Sequence, residues 1–314
     1  MKKTLLSGIQ PTGDMHIGNY FGAIKQFIDM QDSYDSYVFI ADLHALTTVQ
    51  NREVLLSNIF NVTATYLACG LDPQKVKLFQ QSVVGGELTE LTWIFNCITT
   101  VAYLERAVAY KDANQKAKEP TVGLFDYPML MAADILMQDA DVVPVGADQK
   151  QHVEFARDTA EKFNRIWEEM FKLPQPLISE STGIVPGIDG RKMSKSYGNT
   201  IPLFASDDEI QKIVMSIVTD SDGEVPKNVY EIHKLFRSEE DLKKLYEENK
   251  GKYKVLKDTL AEDIKKFIAP MREKYLEYQD HPQMVWDALH QNDEIVKKKV
   301  QDKMHLIKKA AGLI

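Results

Sequence analysis

Cysteine is nearly absent from this chain of 314 residues, which contains only Cys69 and Cys97. With neither metal-ligand spacing nor a histidine cluster beside them, the expected state is a pair of buried free thiols, and no disulfide framework or zinc site is expected. No bound transition metal is expected either. Long apolar runs are missing: nothing approaches the roughly 20 residues a membrane-spanning helix needs. Met1-Lys2-Lys3 leads straight into a short strand, with no apolar core of a signal peptide. These absences predict a soluble, cytoplasmic globular protein. Positive charge is also in deficit, with 38 Lys and Arg against 46 Asp and Glu and a net charge of −8. That deficit does not exclude a polyanionic partner, because binding depends on where charge lies rather than on its sum. Internal repeats and low-complexity tracts are lacking too, which excludes a solenoid.

A hydrophobic content of 44% is enough for a large core, and the length suits one big domain plus a smaller one. Short β-like runs (Thr4 to Ser7, Tyr37 to Ala41, Val76 to Gln80, Asp141 to Val145) alternate with helical patterns, notably Tyr20 to Met30, Arg52 to Ala68 and His152 to Trp167. Alternation of this kind predicts a parallel α/β sheet. In such sheets ligands gather beyond the carboxyl ends of the strands. Each run here is followed by polar or glycine-bearing residues: Gly8 to Thr12, Asp42 to His44, Ser82, and Gly146-Ala147-Asp148-Gln149. From about Asn199 onward the texture becomes charge-rich with helical periodicity, which predicts an α/β domain over residues 1–199 and a helical domain over 200–314. Near the end, Lys297, Lys298, Lys299, Lys303, Lys308 and Lys309 outnumber their acidic neighbours. They form either a contact for a phosphate backbone or a solvated helix face.

Two short motifs point to phosphate chemistry. Lys192-Met193-Ser194-Lys195-Ser196 sets two lysines three residues apart between Gly190-Arg191 and Gly198-Asn199, so both ammonium groups can reach one polyphosphate from a flexible loop. Near the start, Gly8-Ile9-Gln10-Pro11-Thr12-Gly13 leads into His16-Ile17-Gly18-Asn19. Strand, glycine-bearing loop and helix start would present free N–H groups to an anion, with His16 and Asn19 on one helical face. A third stretch, Tyr127 to Met137, places Pro128 in a first helical turn and puts Met131 and Asp134 on one face. A carboxylate among such apolar neighbours requires a hydrogen-bond donor.

Taken together, His16-Ile17-Gly18-Asn19 and Lys192-Met193-Ser194-Lys195-Ser196 resemble the paired signatures of class I aminoacyl-tRNA synthetases. Asn19 stands where the first signature usually ends in a second histidine. That replacement, Gly8 to Gly13 and Tyr127 to Leu136 resemble the bacterial tryptophanyl branch of the family, and the likeness runs through nearly the whole chain. Two departures are Leu6, where the branch often has phenylalanine, and His16, where it often has threonine.

The resemblance implies a Rossmann-like catalytic domain, ATP with Mg²⁺, L-tryptophan and tRNA(Trp) as partners, and a homodimer. It assigns Lys192 and Lys195, with His16 and Asn19, to catalysis, and Gln10, Pro11, Thr12, Gly18, Asn19, Gly146, Ala147, Asp148, Ile184, Met193, Ser194 and Ser196 to ATP. For the amino acid it implies Asp134 as acceptor of the indole N–H, with Leu6, Tyr127, Met131, Val143 and Val145 around the ring and His44 and Gln149 near the polar atoms. Glu87 to Ala109, containing Trp93, would be either a dimer contact or a core helix. The helical carboxyl-terminal part would read the anticodon. A tyrosyl enzyme, a tRNA-independent adenylyltransferase and a non-catalytic paralogue remain as alternatives.

Overall fold

The computed structural model describes residues 2–11, 13–107, 110–111, 119–146, 150–178, 185–219 and 225–314. Its centre is a sheet of five strands in the order β3-β2-β1-β4-β5, parallel at every pairing, with β1 at Thr4–Ile9, β2 at Asp35–Ile40, β3 at Lys77–Gln80, β4 at Val142–Pro144 and β5 at Gln175–Leu177. The first four were legible as apolar runs. β5 was not: it is three residues with Pro176 at its centre, and proline is tolerated there because the strand is an edge.

Successive side chains on a strand point to opposite faces, so each strand feeds two cores. Ile9, Val38, Ile40 and Leu78 enter one core with the Arg52–Ala68 and Tyr253–Asp280 helices; Leu6, Tyr37, Phe39 and Phe79 enter the other with the Gly85–Ile98, Val122–Met137 and Lys150–Ile166 helices. Residues beyond Asn199 form the helices Asp207–Met215, Lys227–His233, Glu239–Glu248, Tyr253–Asp280, Pro282–His290 and Asp293–Ala310. The last of these returns to the sheet, placing Val296, Val300, Met304 and Ile307 in the same core as Leu6. The lysines of this helix therefore do not form one free basic face. Lys303 is buried against Asp139, Lys299 donates to the Gln138 carbonyl and lies 3.9 Å from the centre of the Tyr37 ring, and Lys308 pairs with Glu90 at 2.9 Å.

Two local expectations need correcting. Pro128 lies inside the Val122–Met137 helix rather than in its first turn, because the helix starts earlier, where the Thr121 hydroxyl caps the Leu124 N–H. Cys97 is exposed; only Cys69 is a buried thiol. No described helix is long and apolar enough to cross a membrane.

Candidate active site

The strand order reverses between β1 and β4, and an open parallel sheet has its ligand crevice beyond the carboxyl ends of the strands at that point. A cleft of about 640 Å³ lies there. Its walls include Leu6, Gln10, Asn19, His44, Tyr127, Met131, Asp134, Val143, Val145 and Gly146, residues drawn from five separate stretches of sequence. Phe27, Phe39 and Tyr66 also line it, as does His152, and none of these stood out in the sequence because each reads as an ordinary core or helix residue. Thr12, Ala147, Asp148, Gln149 and Ile184 lie outside the described residues.

Asp134 forms the floor. It is 4% exposed, and the Gln81 amide donates to both of its carboxylate oxygens at 2.9 Å, while His44 Nε2 lies 3.0 Å from Oδ2. Burial pushes its carboxyl above the usual range, opposed by the contacts with His44 and Gln81. Gln81 is fully buried behind Asp134, and its carbonyl oxygen accepts the Leu43 N–H at 3.2 Å, so the amide cannot flip without losing a bond. Sequence reading missed Gln81: a lone glutamine after a strand carries no pattern. An ionised carboxylate offers about four acceptor positions. Gln81 and His44 leave capacity for a further donor from the cleft. Beside it the Tyr127 hydroxyl and His152 Nε2 lie 2.6 Å apart, closing one side wall.

The amino-terminal motif sits at the other end of the cleft. His16 caps the Ile17–Asn19 turn, the Asn19 side chain accepts the His16 N–H at 3.0 Å, and a π turn at Tyr20–Ile24 follows. Gly18 is required by close approach: a Cβ there would stand 2.8 Å from His16 Nδ1 and 3.2 Å from Met193 Sδ. The pentapeptide is thereby brought against the first motif. Met193 is buried, Lys192 and Lys195 are exposed, and Lys195 Nζ reaches to 4.0 Å from where a Gly13 Cβ would be. Pro11 is buried, and Ser194 Oγ and Ser196 Oγ are 2.9 Å apart. The helix start itself offers fewer free N–H groups than its sequence suggests, because those of His16, Ile17 and Asn19 bond to Asn19 Oδ1 and to the Ile201 and His16 carbonyls. The anion-directed groups are therefore the two exposed ammonium groups beside a cleft with a carboxylate floor, which itself suits a hydrogen-bond donor.

His16 is a neutral imidazole in this setting. Burial, reinforced by the Lys195 charge, lowers its pKa from 6.5 to about 4. Above pH 6.5 the ring is neutral in folded and unfolded chains alike, and between 6.5 and about 4 only the unfolded chain binds the proton, so stability falls with pH across that window. Relative to a His16→Gln variant, the wild type is expected to lose about 2 kcal/mol of unfolding free energy between pH 7 and pH 5. Urea titration at the two pH values measures the difference, and parallel losses would show that the ring is not depressed.

Comparison with known proteins gives a consistent result. A family profile described as tRNA synthetases class I (W and Y) matches residues 2–278. A tryptophan–tRNA ligase from Fusobacterium nucleatum is 47% identical over 99% of this chain and 98% of its own length. The crystal structure of tryptophanyl-tRNA synthetase from Campylobacter jejuni, complexed with ADP and tryptophan, is 43% identical with a TM-score of 0.92, covering 98% of this chain and 99% of that one. The enzyme from Mycoplasma pneumoniae superposes with a TM-score of 0.82 at 28% identity, covering 99% and 98%. With the profile spanning most of its length and near-full-length relatives of this identity, the chain belongs to the class I tRNA synthetases of the W and Y group.

Proposed function

We propose that this chain is a tryptophan–tRNA ligase: it condenses L-tryptophan with ATP to give tryptophanyl-adenylate and pyrophosphate, then transfers the acyl group to the 3′ end of tRNA(Trp). The observation that carries the reading is Asp134, a buried carboxylate at the cleft floor. An indole N–H satisfies it, whereas a phenylalanine ring would leave it with one donor fewer.

The chemistry assigns positioning and charge stabilisation to the chain. The tryptophan carboxylate attacks the α-phosphorus in line as pyrophosphate departs, so no covalent enzyme intermediate is needed. Lys192 and Lys195 stabilise the leaving pyrophosphate; Gln10, Pro11, Gly18, Asn19 and Gly146 lie along the nucleotide; Ser194 and Ser196 donate to phosphate or hold the loop. His16, being neutral, contributes as a hydrogen-bonding group rather than as a cation. Mg²⁺ would arrive on the triphosphate, consistent with its preference for phosphate oxygens and water; among the described residues no cluster of three or more metal-ligating side chains stands ready to hold it.

The proposed division is a catalytic part over residues 1–199 and an anticodon-binding part over 200–314. A homodimer is supported by exposed apolar side chains on neighbouring elements, Trp93 at 69%, Val101 at 64% and Val122 at 81%. The cytoplasm is the proposed location, where tRNA is charged for protein synthesis.

ATP–pyrophosphate exchange, run with each of the twenty amino acids and without tRNA, tests the reading. Exchange driven by tryptophan alone is expected. Tyrosine-driven exchange would move the assignment to the sister enzyme, and an inert protein would remove the synthetase reading.

A further inference from the structure

We propose that Asn199 is a positioning residue that holds the Lys192–Ser196 turn in its pyrophosphate-binding shape; the proposal rests on the ligase reading above. Much of the turn before Asn199 is exposed: Lys192, Lys195, Ser196 and Tyr197 all face solvent. Asn199 itself is 1% exposed. A polar side chain buried that completely must be satisfied, and here its bonds all fall on the loop.

Oδ1 accepts the Ser194 N–H at 2.8 Å; Nδ2 donates to Asp189 Oδ1 at 2.7 Å and to the Lys192 carbonyl at 3.1 Å. One amide therefore bridges the backbone on either side of Met193 and ties both to Asp189, where the loop begins. Asp189 in turn holds Arg191, whose guanidinium lies 4.5 Å from the centre of the Tyr197 ring. The amide occupies space that no side chain at position 187 could share, since a Cβ on Gly187 would stand 2.3 Å from Asn199 Nδ2.

Immediately beyond Asn199 the chain pairs with the amino-terminal motif. The Ile201 carbonyl accepts the Ile17 N–H at 3.0 Å, Pro202 bridges His16, and the Leu203 N–H donates to the Met15 carbonyl at 2.9 Å. Asn199 thus sits at the joint between a segment fixed to the first motif and the turn carrying both lysines. Its amide sets where Lys192 and Lys195 leave the backbone relative to His16 and Gly18. Nothing in Asn199 is directed at the substrates, so its effect passes through the lysines.

The test compares wild type, Asn199→Ala, Asn199→Asp and the double variant Asn199→Asp/Asp189→Asn by single-turnover adenylation and by hydrogen exchange at the Ser194 amide. Asn199→Ala is expected to slow adenylate formation about 10- to 100-fold, the scale of a misplaced reacting group, and to expose the Ser194 amide, with the tryptophan KM unchanged. Asn199→Asp keeps the acceptor for Ser194 but sets two carboxylates against each other. Asp189→Asn restores a donor to that contact, so the double variant should recover much of the rate.

A purely structural role would lower stability and tryptophan affinity together and give no such recovery. Unchanged adenylation in Asn199→Ala alongside an exposed Ser194 amide would overturn the proposal. An inert wild type would instead overturn the ligase reading, and this proposal with it; the wild-type arm tells the two failures apart.

Discussion

Replacing Lys195 with alanine is expected to slow tryptophanyl-adenylate formation by about 100- to 1,000-fold, the scale for removing one preorganised group that stabilises developing charge. The tryptophan KM should stay near its wild-type value, because Lys195 does not line the cleft that has Asp134 as its floor. The expectation follows from where the ammonium is placed. Its loop is exposed, yet Nζ comes close to Gly13 and its charge is felt by the buried His16. Among the described residues no carboxylate forms an ion pair with Lys192 or Lys195, whereas many other lysines are paired. Two exposed lysines free of carboxylate partners are positioned for an anion from outside the chain. The pyrophosphate leaving group gains charge as the bond to the α-phosphorus breaks, so the lysine contributes most in the transition state and should affect the rate rather than ground-state binding. Single-turnover adenylation with saturating tryptophan measures this directly. An unchanged rate in Lys195→Ala would remove Lys195 from the mechanism; a rate restored in Lys195→Arg would show that charge alone suffices.

Much of this site was legible in the sequence because its motifs are contiguous. Lys192 to Ser196 and His16 to Asn19 carry their pattern within five and four residues, and the glycines that allow close approach lie inside or beside them. Four strands were legible for the same reason: each is a short run whose side chains alternate between two buried faces. What escaped notice depends on distant parts of the chain meeting. Gln81 has meaning only because the fold sets it behind Asp134, more than fifty positions away. Lys299 and Lys303 look like solvated charge in the sequence, but they flank Val300 and Met304 on a helix that packs against the sheet, which turns them inward to Gln138 and Asp139. Asn199 looked like a loop former, and its burial reflects contacts on both sides of the pentapeptide. Spacing along the chain reveals a face or a motif; it does not reveal which distant element will cover it.

Asp134→Ala should have the second large effect, a fall of about 100-fold or more in kcat/KM for tryptophan, from loss of a hydrogen bond to a charged group together with the unpaired partners left behind. Those partners are specific. The Gln81 amide would lose both carboxylate contacts inside a fully buried position, and His44 would lose its own. A fall in kcat/KM alone could come from collapse of the floor, so the decisive comparison uses a tryptophan analogue methylated at the indole nitrogen. Wild type should discriminate strongly against the analogue, which has no N–H to donate to Asp134. Asp134→Ala, having no acceptor, should treat the two ligands nearly alike, because the penalty for an unsatisfied carboxylate vanishes with the carboxylate itself. A Gln81→Leu variant separates reading from support: it keeps the acceptor but frees one side of it, so discrimination should persist while affinity for both ligands drops. If Asp134→Ala still rejected the methylated ligand as strongly as wild type does, steric fit against Met131, Val143 and the other walls would be setting the selection. The carboxylate would then be a structural group held by Gln81 and His44 rather than the reader of the indole.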